Sequence, residues 1–552
     1  LEVGRLLEGG LVEEGGAAAA RAGVLGWQLR MDLGGGQADD QPLVGARLIA
    51  AATGVDRLLL RWVSSLLSIH AGQILESLES AAMDPTELAL AGISRQAQMV
   101  RDGEVSATEL VSLYLERIER IDPQLNSFRT VYAEQALAEA RLADERRGDA
   151  ERPLNGVAIA VKDCHDVAGD LTSHGSNAFD QPAAEDCELV RRLRDAGAII
   201  LGKTTLPELA IYGFTESEAL GITRNPWNTE RTPAGSSGGS GAAVAAGLCS
   251  AATASDGAGS IRFPASNCGL VGLKPSRGRV SLAPLAEHWH GLSVYGGLAR
   301  TVADVALYMD TVAGSTPIDA DAAPTPERPF AESAKTSPGK LRIAWSTKPP
   351  RAVAPPIVGD EVQAAMHATL EVARGLGHQV EERDPAWGSL GNAITAHYLR
   401  GIRDDAVGSP HYERLERRTR GISRLGGLIS DRMIERAKDG RAAHAARINA
   451  IFDDFDVLVT PVAGEPPVEI GRWAGRSGAR TVIGMSRTYP FGVAWNVLGN
   501  PALVVPSTLT ESGPVGTMII GRPNDEATLL SLGAQLEAEV GWADRRPPLA
   551  LA

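Results

Sequence analysis

The chain has 552 residues, 44% of them hydrophobic and 22% charged, with a formal net charge of −14 at pH 7. This is the composition of a globular protein large enough for one big domain or several ordinary ones. The acidic balance argues against a nucleic-acid partner, because tracking phosphates requires a basic face.

Residues 1–82 are rich in Gly, Ala and Leu and show no strand alternation. No basic, apolar secretory leader is visible in them. The most membrane-like run, residues 58–69, is too short to span a bilayer and contains Arg61, so an amphipathic helix is expected there. A fresh start follows at Met83, with Asp84 as a helix N-cap and Pro85 at the first helical position. Residues 1–82 are therefore read as an extension dispensable for chemistry, and residues 83–552 as the main domain.

The main domain begins helically. Across residues 108–121 apolar side chains recur every three or four positions, and Ser106 or Thr108 is placed to cap that helix. Residues 155–162 (Asn-Gly-Val-Ala-Ile-Ala-Val-Lys) are different, a short apolar run led in by glycine that suits a buried strand. Residues 198–202, 341–345, 457–461 and 502–506 repeat this character between helical stretches. Strands interleaved with helices predict an α/β architecture around a largely buried sheet. The Pro-rich stretches near 323–329 and 349–356 read as surface loops.

The densest chemistry lies between Thr232 and Gly269. A Gly/Ser run is commonly a linker, but this one is interrupted by the helix-forming residues 242–247 and by Ile261-Arg-Phe-Pro264, which predicts packed structure. Gly235-Ser-Ser-Gly-Gly239 matches the nucleophile-elbow pattern and nominates Ser237. That motif requires a buried strand leading into it, and residues 223–233 are polar with two prolines. A phosphate-binding loop fails too, since no Gly-Lys-Ser/Thr ending is present.

Eight segments together resemble the amidase signature family: residues 156–163, 225–227, 233–242, 256–264, 268–275, 456–461, 499–503 and 514–516. They occur in the family's order and span about residues 88–540. The resemblance implies a central mixed β-sheet covered by helices on both faces. It also implies a triad with Ser260 as nucleophile, Ser236 as the bridging serine after a cis peptide at Gly235, and Lys162 as base. Ser236 and Ser260 stand 24 positions apart, the family spacing, which selects Ser236 over Ser237.

The chemistry accounts for these residue types. A serine hydroxyl attacks only as a base removes its proton, and an ordinary lysine is about 0.04% neutral at pH 7. Lys162 ends an apolar run, where desolvation lowers its pKa. A lone lysine in such a place commonly snorkels to the surface. Joined with two serines at family spacing, it is expected to be the base. No histidine is required, and His165 is the one that lies in the core motifs.

The N–H groups of Gly257, Ala258, Gly259 and Ser260 are the expected oxyanion donors. The family's usual Asp-Ile-Gly-Gly-Ser reads Asp-Gly-Ala-Gly-Ser here, with Ala258 in place of a glycine. Asp256 and Arg262 are expected to form a structural ion pair fixing that loop. Ser237 and Ser240 should cap or brace a helix beginning near Gly241, and Asp163 should act as a hydrogen-bonding brace. Tyr212, Phe214, Trp289, Tyr489, Phe491 and Trp495 are candidates for lining the substrate pocket.

The resemblance implies amide hydrolysis, with carbamate, aryl-acylamide or ester cleavage as alternatives. A further alternative is the amidase subunit of an aminoacyl-tRNA amidotransferase, although residues 286–300 resemble stand-alone amidases more. A decayed binding scaffold is the non-enzymatic alternative, and retention of all three triad residues speaks against it. No cofactor or metal is expected, and the anticipated partner is a small-molecule substrate rather than nucleic acid or membrane. A homodimer is compatible with the sequence. Cys164, Cys187, Cys249 and Cys268 form no Cys-x-x-Cys pair, so neither a disulfide framework nor a zinc site is expected, and Cys268 reads as a small buried hydrophobe. A reducing cytoplasm suits them.

Overall fold

In the computed structural model, residues 83–351 and 354–551 are described. The expected helix at 58–69 and the extension 1–82 lie outside them. The helix expected from Asp84 and Pro85 is present: it spans Pro85–Leu90, and Asp84 accepts from the N–H groups of Thr86 and Glu87. The next predicted helix runs Ala107–Leu125. Ser106 caps it and Glu109 reaches back to the Ser106 N–H, so two otherwise unpaired donors are satisfied reciprocally.

Thirteen strands follow in chain order. They are β1 (Phe128–Val131), β2 (Ala158–Lys162), β3 (Ile199–Thr204), β4 (Glu216–Ser217), β5 (Gly221–Ile222), β6 (Ala251–Asp256) and β7 (Val271–Lys274). Then come β8 (Val294–Ala299), β9 (Arg342–Trp345), β10 (Gln379–Glu382), β11 (Val457–Pro461), β12 (Ala502–Thr510) and β13 (Gly513–Ile520). Strands β4 and β5 form a separate hairpin. The other strands make one 11-stranded sheet in the order β1-β3-β2-β6-β8-β7-β12-β13-β11-β9-β10.

The sheet is mixed. Strand β2 runs parallel to β3 and β6, and β9 parallel to β10 and β11, while β6–β8, β7–β12 and β12–β13 are antiparallel. Side-chain alternation along β2 divides it between two cores: Ala158 and Ala160 join one, Val157, Ile159 and Val161 the other. Both faces are covered, which explains why the strand reads as an unbroken apolar run rather than an alternating one.

Helix Gly238–Ala245 packs on the alanine face, and its small residues match that face. Every residue from Thr232 to Ser250 is buried. A Cβ at Gly239 would lie 2.4 Å from the Thr205 carbonyl oxygen, and one at Gly235 would lie 2.7 Å from both the Phe214 nitrogen and the Tyr212 oxygen. The Gly/Ser run is therefore close-packed, as the interruptions in its sequence predicted. Among the described residues, no helix is long and apolar enough to cross a membrane.

Candidate active site

Lys162 is the last residue of β2 and is fully buried. Its Nζ donates to Ser236 Oγ at 2.7 Å and to Ser255 Oγ at 2.8 Å, and its backbone N–H donates to Thr253 Oγ1. Burial drives its pKa down to about 8, partly opposed by Cys164 and Asp256. At that value about a tenth of the lysine is neutral at pH 7, against about 0.04% for an ordinary one.

Ser236 follows a cis peptide at Gly235–Ser236, as the resemblance implied. Ser260 stands in the turn between β6 and the helix Arg262–Cys268, 9% exposed. Ser236, Ser255 and Ser260 line one cavity. Among the described residues, Ser260 and Ser236 are not hydrogen-bonded to each other. A strand-to-turn-to-helix approach, missing before Ser237, thus leads to Ser260. The sequence reading did not name β6 as a strand, because Ala251-Ala-Thr-Ala-Ser-Asp256 carries only short side chains.

The loop after β6 is built on Asp256. Its carboxylate accepts from Arg262 Nε and Nη2 at 2.9 Å each, from the N–H groups of Gly259 and Ile261, and from Asn496 Nδ2. Burial opposes its charge, but the Arg262 guanidinium and these donors outweigh burial and hold it below the usual carboxylate range. The expected ion pair is present. Gly259 differs from the sequence reading, since its N–H is spent on Asp256 at 2.7 Å. Among the described residues, the N–H groups of Gly257, Ala258 and Ser260 have no protein acceptor, so these are the unpaired donors of the turn. Gly259 has another reason to be glycine: its φ is +131°, and a Cβ would lie 2.2 Å from the Phe263 ring.

The supporting serines also depart in part from expectation. The helix begins at Gly238, and Ser237, its N-cap residue by position, makes no side-chain capping bond. Instead Ser237 Oγ donates to the Ser255 carbonyl, and Ser240 Oγ to the Thr253 carbonyl, so both brace β6 rather than cap. Asp163 braces as expected, paired with Lys203 at 3.2 Å and Arg129 at 3.0 Å. His165 is buried against Tyr295 with Nδ1 on Thr253 Oγ1. Cys268 is fully buried.

Two cavities meet at Ser260. One, of about 170 Å³, is mainly apolar and includes Tyr212, Phe263, Trp289, Ile394, Tyr398 and Met485. The other, of about 300 Å³, holds Ser236, Ser255, His288, Ser293 and Asp405. Trp289 lines both. Of the aromatic candidates, Tyr212, Trp289 and Tyr489 line the apolar cavity. Phe214, Phe491 and Trp495 do not: Phe214 is stacked between Tyr212 and Trp473, Trp495 packs edge-on against Trp387, and Phe491 is core. Sequence reasoning missed Ser255, a hydroxyl one residue before Asp256. It also missed the His288–Asp405 pair, whose partners lie more than a hundred positions apart.

A mixed sheet that holds a buried lysine on a serine, beside a glycine turn of free N–H groups, is the architecture of an amide hydrolase. The chain belongs to the amidase signature family: the family model described as Amidase matches residues 109–530. It is 47% identical over 468 residues to AmiB2 of Mycobacterium tuberculosis, covering 84% of this chain and 99% of that protein. The 6-aminohexanoate-cyclic-dimer hydrolase of Pseudomonas sp. strain NK87 is 35% identical over 498 residues, with 82% and 96% covered. Among solved structures, a 6-aminohexanoate cyclic dimer hydrolase with substrate superposes at a TM-score of 0.77, with 32% identity and 84% and 99% covered. The peptide amidase of Stenotrophomonas maltophilia superposes at 0.68, with 27% identity and 83% and 98% covered. The chain is an amide-hydrolysing enzyme.

Proposed function

We propose that amide cleavage proceeds through an acyl-enzyme on Ser260, with Ser236 and Lys162 as the proton relay. The observation that carries this reading is what Lys162 touches. Of the other fully buried lysines, Lys203 is paired with Asp163 and Lys274 donates to the Pro275 carbonyl. Lys162 is equally buried, yet its Nζ is given to two hydroxyls and to no carboxylate among the described residues. A desolvated amine on a serine is a base poised for proton transfer.

In the proposed reaction, neutral Lys162 takes the Ser236 proton as Ser236 takes that of Ser260, whose side chain turns toward it. Ser260 Oγ bonds to the amide carbon, and the oxyanion is received by the N–H groups of Gly257, Ala258 and Ser260. Ser236 then returns a proton to the amide nitrogen, and the C–N bond breaks. Water, deprotonated through the same relay, attacks the acyl ester and frees the acid.

Ser236 lines the polar cavity and is absent from the lining of the apolar one. The nitrogen it protonates must lie on its side, so the amine occupies the polar cavity and the acyl group the apolar one. An aliphatic or aryl amide suits this division. The 6-aminohexanoate cyclic dimer acted on by the relative is an aliphatic amide. A fluorophosphonate should label Ser260 and abolish turnover of hexanoyl-4-nitroanilide, and Ser260→Ala should be folded and inactive. Labelling at Ser237, or full activity in Ser260→Ala, would sink the reading.

A further inference from the structure

A second hydroxyl network lines the same polar cavity as the proposed relay. Ser293 Oγ lies 2.7 Å from His288 Nδ1, and His288 Nε2 lies 3.1 Å from both Asp405 oxygens. Trp289 Nε1 donates to the same carboxylate at 2.6 Å. The network is built against the oxyanion turn: a Cβ at Gly257 would meet Ser293 Oγ at 3.3 Å and the Trp289 ring at 3.0 Å. Ser293, His288 and Asp405 line the cavity that also holds Ser236 and Ser260.

Burial disfavours a charged His288, but the Asp405 carboxylate outweighs it and raises the imidazole above its ordinary value. The ring is therefore neutral at alkaline pH, and there the polarity of this chain is set from its far end. A carboxylate only accepts, so His288 Nε2 carries a proton. In the neutral imidazole Nδ1 is then an acceptor, and the Ser293 hydroxyl hydrogen is drawn to it. What Ser293 has left to offer the cavity is its oxygen lone pairs. We infer that Ser293 Oγ accepts a hydrogen bond from the N–H of the scissile amide, with His288 and Asp405 positioning it, and that this contact favours amides over esters. With the N–H held by Ser293, the nitrogen lone pair that develops in the tetrahedral intermediate is directed toward Ser236, which protonates it. An ester has no N–H to place there. A second nucleophile is not implied, since the turn's free N–H groups serve Ser260.

The inference rests on the acyl-enzyme reading, and the test separates the two. Hexanoyl-4-nitroanilide and 4-nitrophenyl hexanoate share an acyl group and differ in the leaving atom, and kcat/KM reports the steps through acylation. Both are assayed at pH 9 with wild type and Ser293→Ala. The anilide kcat/KM should fall about tenfold, and that of the ester should stay within about twofold, the loss of one hydrogen bond to a reacting group. Retained ester turnover also shows the variant is folded. A His288→Gln variant should shift the amide-to-ester ratio in the same direction. Equal losses on both substrates, or no loss on the anilide, would overturn the inference and leave the acyl-enzyme reading intact. Wild type without Ser260-dependent turnover of either substrate would overturn both.

Discussion

Lys162 couples activity and stability to pH in the same sense at one atom. In the proposed relay the amine works only when neutral, so kcat/KM should climb with pH along a limb whose midpoint is near 8, the value to which burial brings it. A flat profile between pH 7 and 9 would count against Lys162 as base. The stability sign follows from the same shift. Between pH 8 and the ordinary lysine value the unfolded chain holds a proton that the folded chain has lost, so stability rises with pH in that window. Below pH 8 both forms are protonated and the buried charge is a constant cost. Lys162→Met should therefore be inactive, yet at pH 7 as stable as wild type or up to about 3 kcal/mol more so, with the difference fading as pH rises toward 10.5. Urea unfolding at pH 7 and pH 10 measures this. A variant markedly less stable at pH 7 would show that the two serine contacts outweigh desolvation.

At the scale of the element, the turn from β6 into the helix Arg262–Cys268 is organised by one carboxylate. Asp256→Asn keeps the shape but leaves Arg262 fully buried without its counter-charge. Breaking such a pair costs about 3–5 kcal/mol, and the Gly259 and Ile261 amides lose their charged acceptor with it. Activity should fall by more than a hundredfold, because the amides that must meet an oxyanion are set by this turn. Unchanged stability by calorimetry would mean that Asn496 alone can hold it.

This turn also shows what the sequence could carry. The Lys162–Ser236 contact and the cavity shared by Ser236 and Ser260 were legible because these residues sit in short motifs at fixed spacing, and the Asp256–Arg262 pair because it is local. The Gly259 amide was misassigned, since nothing in the letters says which N–H faces inward and which faces Asp256. Phe214, Phe491 and Trp495 were misplaced for a related reason. An aromatic ring lowers its energy equally by burial in a core or in a cavity wall, and the choice depends on what packs opposite. The residues that close the cavity, Ile394 and Tyr398 on helix Leu390–Gly408 and Met485 on helix Gly478–Thr488, lie far along the chain from the motifs. The strand runs, by contrast, were read correctly because burial on both faces leaves a local signature.

For the molecule as a whole, the signature segments supply the chemistry and a separate set of helices supplies the shape. The sheet, the helix Gly238–Ala245 and the Asp256 turn place Lys162, Ser236 and Ser260, the groups of the proposed relay. Helices Leu390–Gly408 and Gly478–Thr488 contribute no member of the relay, yet line one side of the cavity assigned to the acyl group. Chain-length preference should then be separable from catalysis. Ile394 is half-buried and lines that cavity without a polar contact to maintain. Ile394→Trp extends a ring into a space of about 170 Å³ and leaves Lys162, Ser236 and Ser260 untouched. For 4-nitroanilides of acetic and hexanoic acid, the hexanoyl-to-acetyl ratio of kcat/KM should drop at least about tenfold, the scale on which a pocket reads added methylenes. The acetyl rate should stay within about threefold of wild type, since a two-carbon acyl group does not reach the new ring. If both substrates lose equally, the wall is coupled to the reacting centre. If neither changes, the acyl chain occupies the other cavity, and the assignment of amine and acyl sides must be reversed.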